Sequence, residues 1–145
     1  MSNDATQTAS QCHIRWMIRR DIPEVMAIKS LPWTEDEFVR ILRLRNHIGI
    51  VAEHEEKIAG FMIYGLYKTR IDIANFAVAA DMRRCGIGTQ MAVKQVSKLS
   101  AQRRSSIGII VPEPNLPAQL FFRSIGWMAT EITDDGYLFE FFCEE

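Results

Sequence analysis

The stretch RRCGIGTQM, residues 83–91, places two glycines directly before a pattern of apolar residues with helical spacing. A glycine backbone can turn sharply and approach a ligand closely. The first turn of a helix adds unpaired N–H donors and a partial positive charge. Backbone amides arranged in this way bind anions, phosphate above all. The stretch therefore predicts a phosphate-binding loop at the start of a helix, with a plain tight turn as the alternative.

Two common phosphate-binding loops do not fit this stretch. A Walker loop requires a lysine before its Ser or Thr, whereas Thr89 directly follows Gly88. The dinucleotide-binding fingerprint requires a third glycine at the position of Met91. The phosphate therefore belongs to another class of ligand.

Length and composition describe an ordinary globular chain. The 145 residues, 48% hydrophobic and 24% charged, fit one domain with its own core. We expect residues 1–12 to be a disordered lead-in and residues 13–145 to form the domain. A net charge of −1 and the absence of a long apolar run favour neither nucleic-acid nor membrane binding. Three widely spaced cysteines and a polar N-terminus predict a reducing, cytoplasmic location, without disulfides or zinc.

The hydrophobic pattern changes repeatedly between strand and helix periods. The expected order of elements is β-α-α-β-β-β-α-β-α-β-β, which predicts an α/β protein with a single mixed, mostly antiparallel sheet flanked by helices. Thr34 and Glu37 form a capping box at the start of the second helix, and the third helix is expected over 86–103. The apolar run 105–113 predicts a central strand. The phenylalanine-rich tail predicts a strand at a sheet edge or dimer contact.

Two motifs around the glycine loop resemble those of the GNAT superfamily of acyl-CoA N-acyltransferases. FAVAADMRRCGIGTQM resembles motif A, V-x-x-x-x-(Q/R)-x-x-G-x-(G/A), with Val78, Arg83, Gly86 and Gly88 in the defined places. The second signature, N-x-x-A-x-x-F-(Y/F)-x-x-x-G-(F/W), is matched by Asn115, Ala118, Phe121, Phe122, Gly126 and Trp127. The resemblance covers nearly everything after residue 12 and implies the GNAT fold. SLPWTEDEF and IANFAV further resemble the ribosomal-protein alanine N-acetyltransferase (RimI-like) type.

The resemblance implies acetyl-CoA as co-substrate and no metal. It implies that the backbone amides of residues 84–89 hold the pyrophosphate, that the end of the preceding strand pairs with the pantetheine arm, and that an asparagine side chain contacts the cofactor. The predicted cofactor-binding residues are Phe76, Ala77, Val78, Arg83, Arg84, Cys85, Gly86, Ile87, Gly88, Thr89, Asn115 and Phe122.

Amide formation by direct transfer requires a neutral amine, an oxyanion donor and a route for the thiolate to leave. The resemblance implies a backbone N–H donor, which we assign to Val78 and which contributes ~3 kcal/mol when preorganised. RimI-like enzymes carry a glutamate base and a tyrosine acid, and the matching positions here are Ile110 and Phe122. We predict Asp72 as the substitute base, because the histone-acetylating branch has its glutamate six residues before the position of Val78. An even separation puts both residues on one face of the strand unless a bulge intervenes; a solvated strand start is the alternative.

The missing glutamate indicates the class of amine. An α-amine with a pKa near ~8 is partly neutral near pH 7.5, whereas a lysine amine with a pKa of ~10.4 is neutral about once in a thousand molecules. We therefore predict an N-acetyltransferase that acts on a primary amine, above all a protein N-terminal α-amine. A small-molecule amine (a polyamine, amino acid or aminoglycoside) and a catalytically weak acyl-CoA-binding module stay open, as does the choice between monomer and homodimer. Other candidate proton carriers are Glu113, Tyr64, Tyr67 and Tyr137.

Overall fold

The structure is a computed structural model that describes residues 11–28, 32–83 and 85–144. Within these ranges the strands are β1 (His13–Trp16), β2 (His47–His54), β3 (Lys57–Leu66), β4 (Arg70–Val78), β5 (Ser106–Val111), β6 (Met128–Thr133) and β7 (Gly136–Phe142). The helices are α1 (Ile22–Ile28), α2 (Glu35–Leu42), α3 (Ile87–Val96) and α4 (Leu116–Ser124). The described strands form a single sheet in the spatial order β1-β2-β3-β4-β5-β7-β6. The expected mixed α/β fold is confirmed.

Local signals account for several element boundaries. The Thr34 side chain accepts from the Glu37 N–H, and the Glu37 carboxylate accepts in return from the Thr34 N–H at 2.7 Å, so the predicted capping box starts α2. Gly126 follows α4 with a φ of 95°, as expected of a glycine that ends a helix. Helix α3 ends at Val96, well before the expected position 103.

The order of strands corrects one expectation about the C-terminal tail. Strand β5 is central, as predicted, because β4 and β7 flank it. Strand β7, which carries the phenylalanines, is also internal, since β6 pairs along its other side. The prediction that this tail lies at the sheet edge is therefore wrong, and β6 occupies that edge.

Helices cover the sheet on both sides and divide the core in two. On the α3–α4 face, Met91 of α3 and Phe122 of α4 pack in one cluster with sheet residues such as Met62. On the α1–α2 face, Val25 of α1 and Phe38 of α2 pack in a second cluster. The two faces of the sheet are thus covered by different helix pairs.

Strands β4 and β5 separate part-way along their length. They are the one parallel pair among the described strands, and their pairing covers the four residue pairs from Arg70–Ser106 to Ile73–Ile109. Beyond Ile73 the longer β4 continues to Val78 without β5 beside it. This opening, here called the fork, leads towards the glycine loop that precedes α3.

Candidate active site

A cleft of about 630 Å³ lies beside the fork on the α3–α4 face. Its walls come from the end of β4, the glycine loop and the N-terminal parts of α3 and α4. Ten of the twelve predicted cofactor residues line it: Phe76, Ala77, Val78, Arg83, Gly86, Ile87, Gly88, Thr89, Asn115 and Phe122. Cys85 is not among the lining residues and packs partly buried against the adjoining core. Arg84 lies outside the described residues.

The glycine loop opens its backbone towards this cleft. Gly86 is the N-cap of α3 and has a φ of 82°, a conformation that a residue with a side chain adopts at a cost. A Cβ added at Gly88 would lie 3.3 Å from Cζ of Phe121 and 3.4 Å from Cγ2 of Val78. A larger side chain at either position would take up space that the backbone now leaves to a ligand.

One backbone N–H group near the end of β4 points into the fork. The N–H of Ala79 donates to the carbonyl of Ala59 on the β3 side at 2.7 Å. Successive N–H groups of an extended strand point to opposite sides, so the Val78 N–H points away from β3 and towards the fork. The carbonyl of Val78 accepts from Nε of Arg83 at 3.2 Å, which ties the loop to the strand end.

Asn115 and Phe122 have clear structural roles at the cleft. Asn115 is the N-cap of α4, and its side-chain oxygen accepts from the Ala118 N–H at 3.2 Å. This bond fixes the side chain at the rim. Phe122 is only 3% exposed, and its ring lies 5.0 Å from that of Phe121 and 4.9 Å from that of Trp127. The position of the usual tyrosine acid is therefore part of an aromatic wall.

A bulge in β4 corrects the predicted relation between Asp72 and Val78. Ile63 of β3 pairs with Asn75, but its neighbour Tyr64 pairs with Ile73, so Ala74 is an extra residue. The extra residue inverts the alternation of side chains. Ile71, Ile73, Phe76 and Val78 consequently all pack on the α3–α4 face, and Asp72 points to the α1–α2 face. The expectation that Asp72 and Val78 share a face is wrong.

Asp72 lies on the α1–α2 face, one residue pair before the fork. Its Oδ2 is 2.9 Å from Nη2 of Arg70, and its side chain is 36% exposed. Partial burial raises the pKa of Asp72, and the nearby Glu140 carboxylate acts in the same direction, whereas Arg70 and His47 oppose it. A carboxylate that holds its proton more tightly than usual is a better proton acceptor.

Sequence reasoning missed Glu140 and His47 as neighbours of Asp72. Both lie two strands from it across the sheet, and only the strand register reveals this. Ile110, in the place of the usual glutamate, is 43% exposed on the same face and pairs with Leu138 of β7.

The other candidate proton carriers are spread over the molecule. Tyr64 is 1% exposed, and its hydroxyl lies 3.3 Å from Nζ of Lys98 in the core of the α3–α4 face. The hydroxyl of Tyr137 lies 3.4 Å from the carboxylate of Glu113, in an exposed pair. Tyr67 packs edge-on against His47. None of these contacts joins a tyrosine to Asp72.

Two classes of feature are absent from the described residues. Their His, Cys, Asp and Glu side chains include no group of three that could hold a metal ion. Their helices include none with the length and apolar character that crossing a bilayer requires.

Comparison with known proteins agrees with this geometry. Residues 14–127 match the model of the acetyltransferase (GNAT) family. No curated protein sequence matches the chain significantly. The chain belongs to the acetyltransferase (GNAT) family, and it is an acetyl-CoA-dependent acyltransferase.

Solved structures share the fold at low sequence identity. Ard1 from Thermoplasma volcanium is 22% identical with a TM-score of 0.78, over 92% of this chain and 99% of that one. The ribosomal-protein-S18-alanine N-acetyltransferase from Escherichia coli is 19% identical with a TM-score of 0.72, over 90% of each chain. PaiA N-acetyltransferase from Thermoplasma acidophilum, solved with coenzyme A, is 10% identical with a TM-score of 0.77, over 91% of this chain and 99% of that one.

Proposed function

We propose that this acetyltransferase transfers the acetyl group of acetyl-CoA to a protein N-terminal α-amine. The observation that carries the proposal is the absence of a proton carrier at both usual positions: Ile110 is apolar, and Phe122 is enclosed by aromatic rings. An amine that is already partly neutral near pH 7.5 needs less help to lose a proton than a lysine amine does, which favours an α-amine over a lysine side chain. The fold of the Ard1 and ribosomal-protein alanine N-acetyltransferase structures supports the same class, including the RimI-like type.

We assign the cofactor to the cleft beside the fork. Its residues suit a nucleotide thioester, because Gly86 and Gly88 leave the backbone bare at the start of α3 for the pyrophosphate. Arg83 adds positive charge at the same rim, and the Asn115 amide is held in place there. When bound, acetyl-CoA supplies the activated acetyl group. The PaiA structure, solved with coenzyme A, supports this assignment.

The chain's own residues would contribute to transfer in two ways. The Val78 N–H, directed into the fork, would stabilise negative charge on the carbonyl oxygen as the amine attacks. Asp72, on the opposite face of the sheet, would accept the proton of an amine that arrives from the α1–α2 side. Thiolate release would need no acid, because a thiol with a pKa near ~8.5 leaves readily as an anion.

The test is the release of coenzyme A from acetyl-CoA with a panel of N-terminal peptides, N-acetylated copies of them, and small amines. We expect release with free α-amines and none with the blocked peptides. Release only with small amines would refute the N-terminal assignment. No release with any amine would refute the proposed activity. We propose a reducing, cytoplasmic setting for the reaction, on the basis of the odd number and wide spacing of the cysteines in the sequence.

A further inference from the structure

A row of residues crosses the α1–α2 face at the level of Asp72. The strand register sets His47 opposite Gly65, Gly65 opposite Asp72, Asp72 beside Gly108, and Gly108 opposite Glu140. Glycine therefore flanks Asp72 on both sides, so no side chain of β3 or β5 stands between Asp72 and the outer members of the row. The space that side chains at these two glycines would fill is taken by the rings of His47 and Tyr67 over Gly65 and by the side chains of Glu140 and Leu138 over Gly108.

Glu140 leans into this gap from β7. A Cβ added at Gly108 would lie only 3.2 Å from Cγ of Glu140, so the glutamate stem lies over that glycine. Thr130 donates from its hydroxyl to Oε1 of Glu140 at 2.6 Å, which orients the carboxylate. Two strand spacings put the α-carbons of Asp72 and Glu140 roughly 10 Å apart. The two carboxylates thus lie at one level of the sheet, on the same face, with Gly108 between them.

The charges around the two carboxylates differ. Arg70 pairs with Asp72 at 2.9 Å, so the negative charge of Asp72 is largely balanced. His47 also faces Asp72, from the far side of Gly65, and the ring of Tyr67 lies over the same glycine. Within the described ranges, no cationic side chain pairs with Glu140. The negative charge of Glu140 is therefore available to a ligand.

Exposed apolar side chains frame Glu140 on the same face. Met128 of β6 lies directly opposite Glu140 in the register and is 62% exposed, and Phe142 on β7 is 52% exposed. Ile110 and Leu138 form the neighbouring pair towards the fork. Glu131 of β6, opposite Leu138 in the register, is a second acidic residue on this face. Exposed apolar surface beside acidic side chains without a cationic partner is typical of a binding site rather than of solvated sheet.

We propose that Glu140 determines acceptor specificity by binding a second cationic group of the amine substrate. The reacting amine lies at Asp72, an aliphatic stem lies over Ile110 and Leu138, and the cationic end lies at Glu140. The substrate class is a primary amine with a further ammonium or guanidinium up to about 10 Å away. A peptide whose second residue is lysine has this spacing. The inference rests on the proposed function for the placement of the acceptor on this face.

Binding rather than turnover provides the test. Calorimetric titrations would use protein saturated with coenzyme A and two probes, Ala-Lys-Ala amide and Ala-norleucine-Ala amide, which share the stem and differ in the charge. We expect wild type to bind the lysine peptide about fivefold more tightly, as befits a partly exposed ion pair. Glu140→Gln should remove that preference, whereas Glu56→Gln, an equal charge change in the β2–β3 turn, should keep it. Glu140→Lys should instead bind Ala-Glu-Ala amide more tightly than Ala-Lys-Ala amide.

The outcomes separate this inference from the proposed function. Equal affinity of wild type for both probes, no binding of either, or a preference that survives in Glu140→Gln would overturn the role of Glu140. If Glu140→Gln no longer binds either probe, Glu140→Lys decides the outcome. A reversed charge preference in Glu140→Lys shows that the site is folded, and the lack of a reversal overturns the proposal. A charge preference without any coenzyme A release would refute the transferase proposal and leave the role of Glu140 supported.

Discussion

Replacing Gly88 by valine tests the assignment of the cofactor cleft. The Cβ alone would lie 3.3 Å from Phe121 and 3.4 Å from Val78, so the two γ-methyl groups must project into the cleft or displace its walls. The change should have a small effect on folding, because Gly88 lies in the first turn of α3 and a glycine there has a poor helix propensity. We expect the affinity for coenzyme A to fall by about 100-fold, as the bare backbone is lost.

Thermal unfolding with and without coenzyme A measures this effect. At a ligand concentration of 100 times the wild-type Kd, binding stabilises the native state by about 2.7 kcal/mol. For a chain of this size that corresponds to a rise in Tm of about 5–10 °C. A 100-fold weaker Kd at the same ligand concentration leaves about 0.4 kcal/mol, or a rise of roughly 1–2 °C.

The matched control is Gly126→Ala. Gly126 also has a conformation that favours glycine, with a φ of 95° and nothing within 4 Å of an added Cβ, but it lies outside the cleft. This variant should lose about 1 kcal/mol of stability from backbone strain and keep the full ligand-induced rise in Tm. A full rise in Gly88→Val as well would refute the idea that the ligand's phosphates contact the start of α3.

Three further predictions concern single residues. Asp72→Asn should lower kcat/KM by about 100-fold or more. Burial raises the native pKa of Asp72, so the stability of the wild type falls as pH rises through that pKa. Urea unfolding should therefore find the variant at least as stable as wild type at pH 7 and equally stable at low pH. Asp21 is buried and bonded to Arg15 at 2.8 and 2.9 Å, so Asp21→Asn should cost about 2–3 kcal/mol at pH 7. The bond lowers the pKa of Asp21, so this stabilisation is present above its ordinary value of 3.8 and lost as pH falls through the lowered value; a cost that persists at low pH would contradict the ion-pair argument. Gly136→Ala should lower stability by roughly 2–4 kcal/mol in denaturant unfolding, because its Cβ would overlap the Val111 carbonyl and its φ is 141°; a near-neutral effect would refute the tight turn.

The sequence predicts those parts of the fold that short-range chemistry determines. The capping box of Thr34 and Glu37 depends on residues three apart, and the structure contains it. The ten residues that line the cleft could be named from the sequence, because two motifs define their spacing along the chain.

Long-range pairing explains what the sequence does not predict. The phenylalanine pattern of β7 is the same for an edge strand and an internal one, and only the return of β6 along its outer side decides between them. The bulge at Ala74 has no glycine or proline to mark it, yet it moves Asp72 to the opposite face from Val78. Glu140 reaches the level of Asp72 only through the combined registers of β4, β5 and β7.

The short parallel contact between β4 and β5, at the base of the fork, affects the order in which the sheet folds. It joins two antiparallel units, β1 to β4 and β5 to β7. Four residue pairs form the seam, whereas β2 and β3 share eight. Such a seam forms later than the hairpins β2–β3, β3–β4 and β6–β7, because it must close a longer loop than they do. A cofactor bound at the fork would contact β4 on one side and α4 on the other, and would therefore hold the two units together.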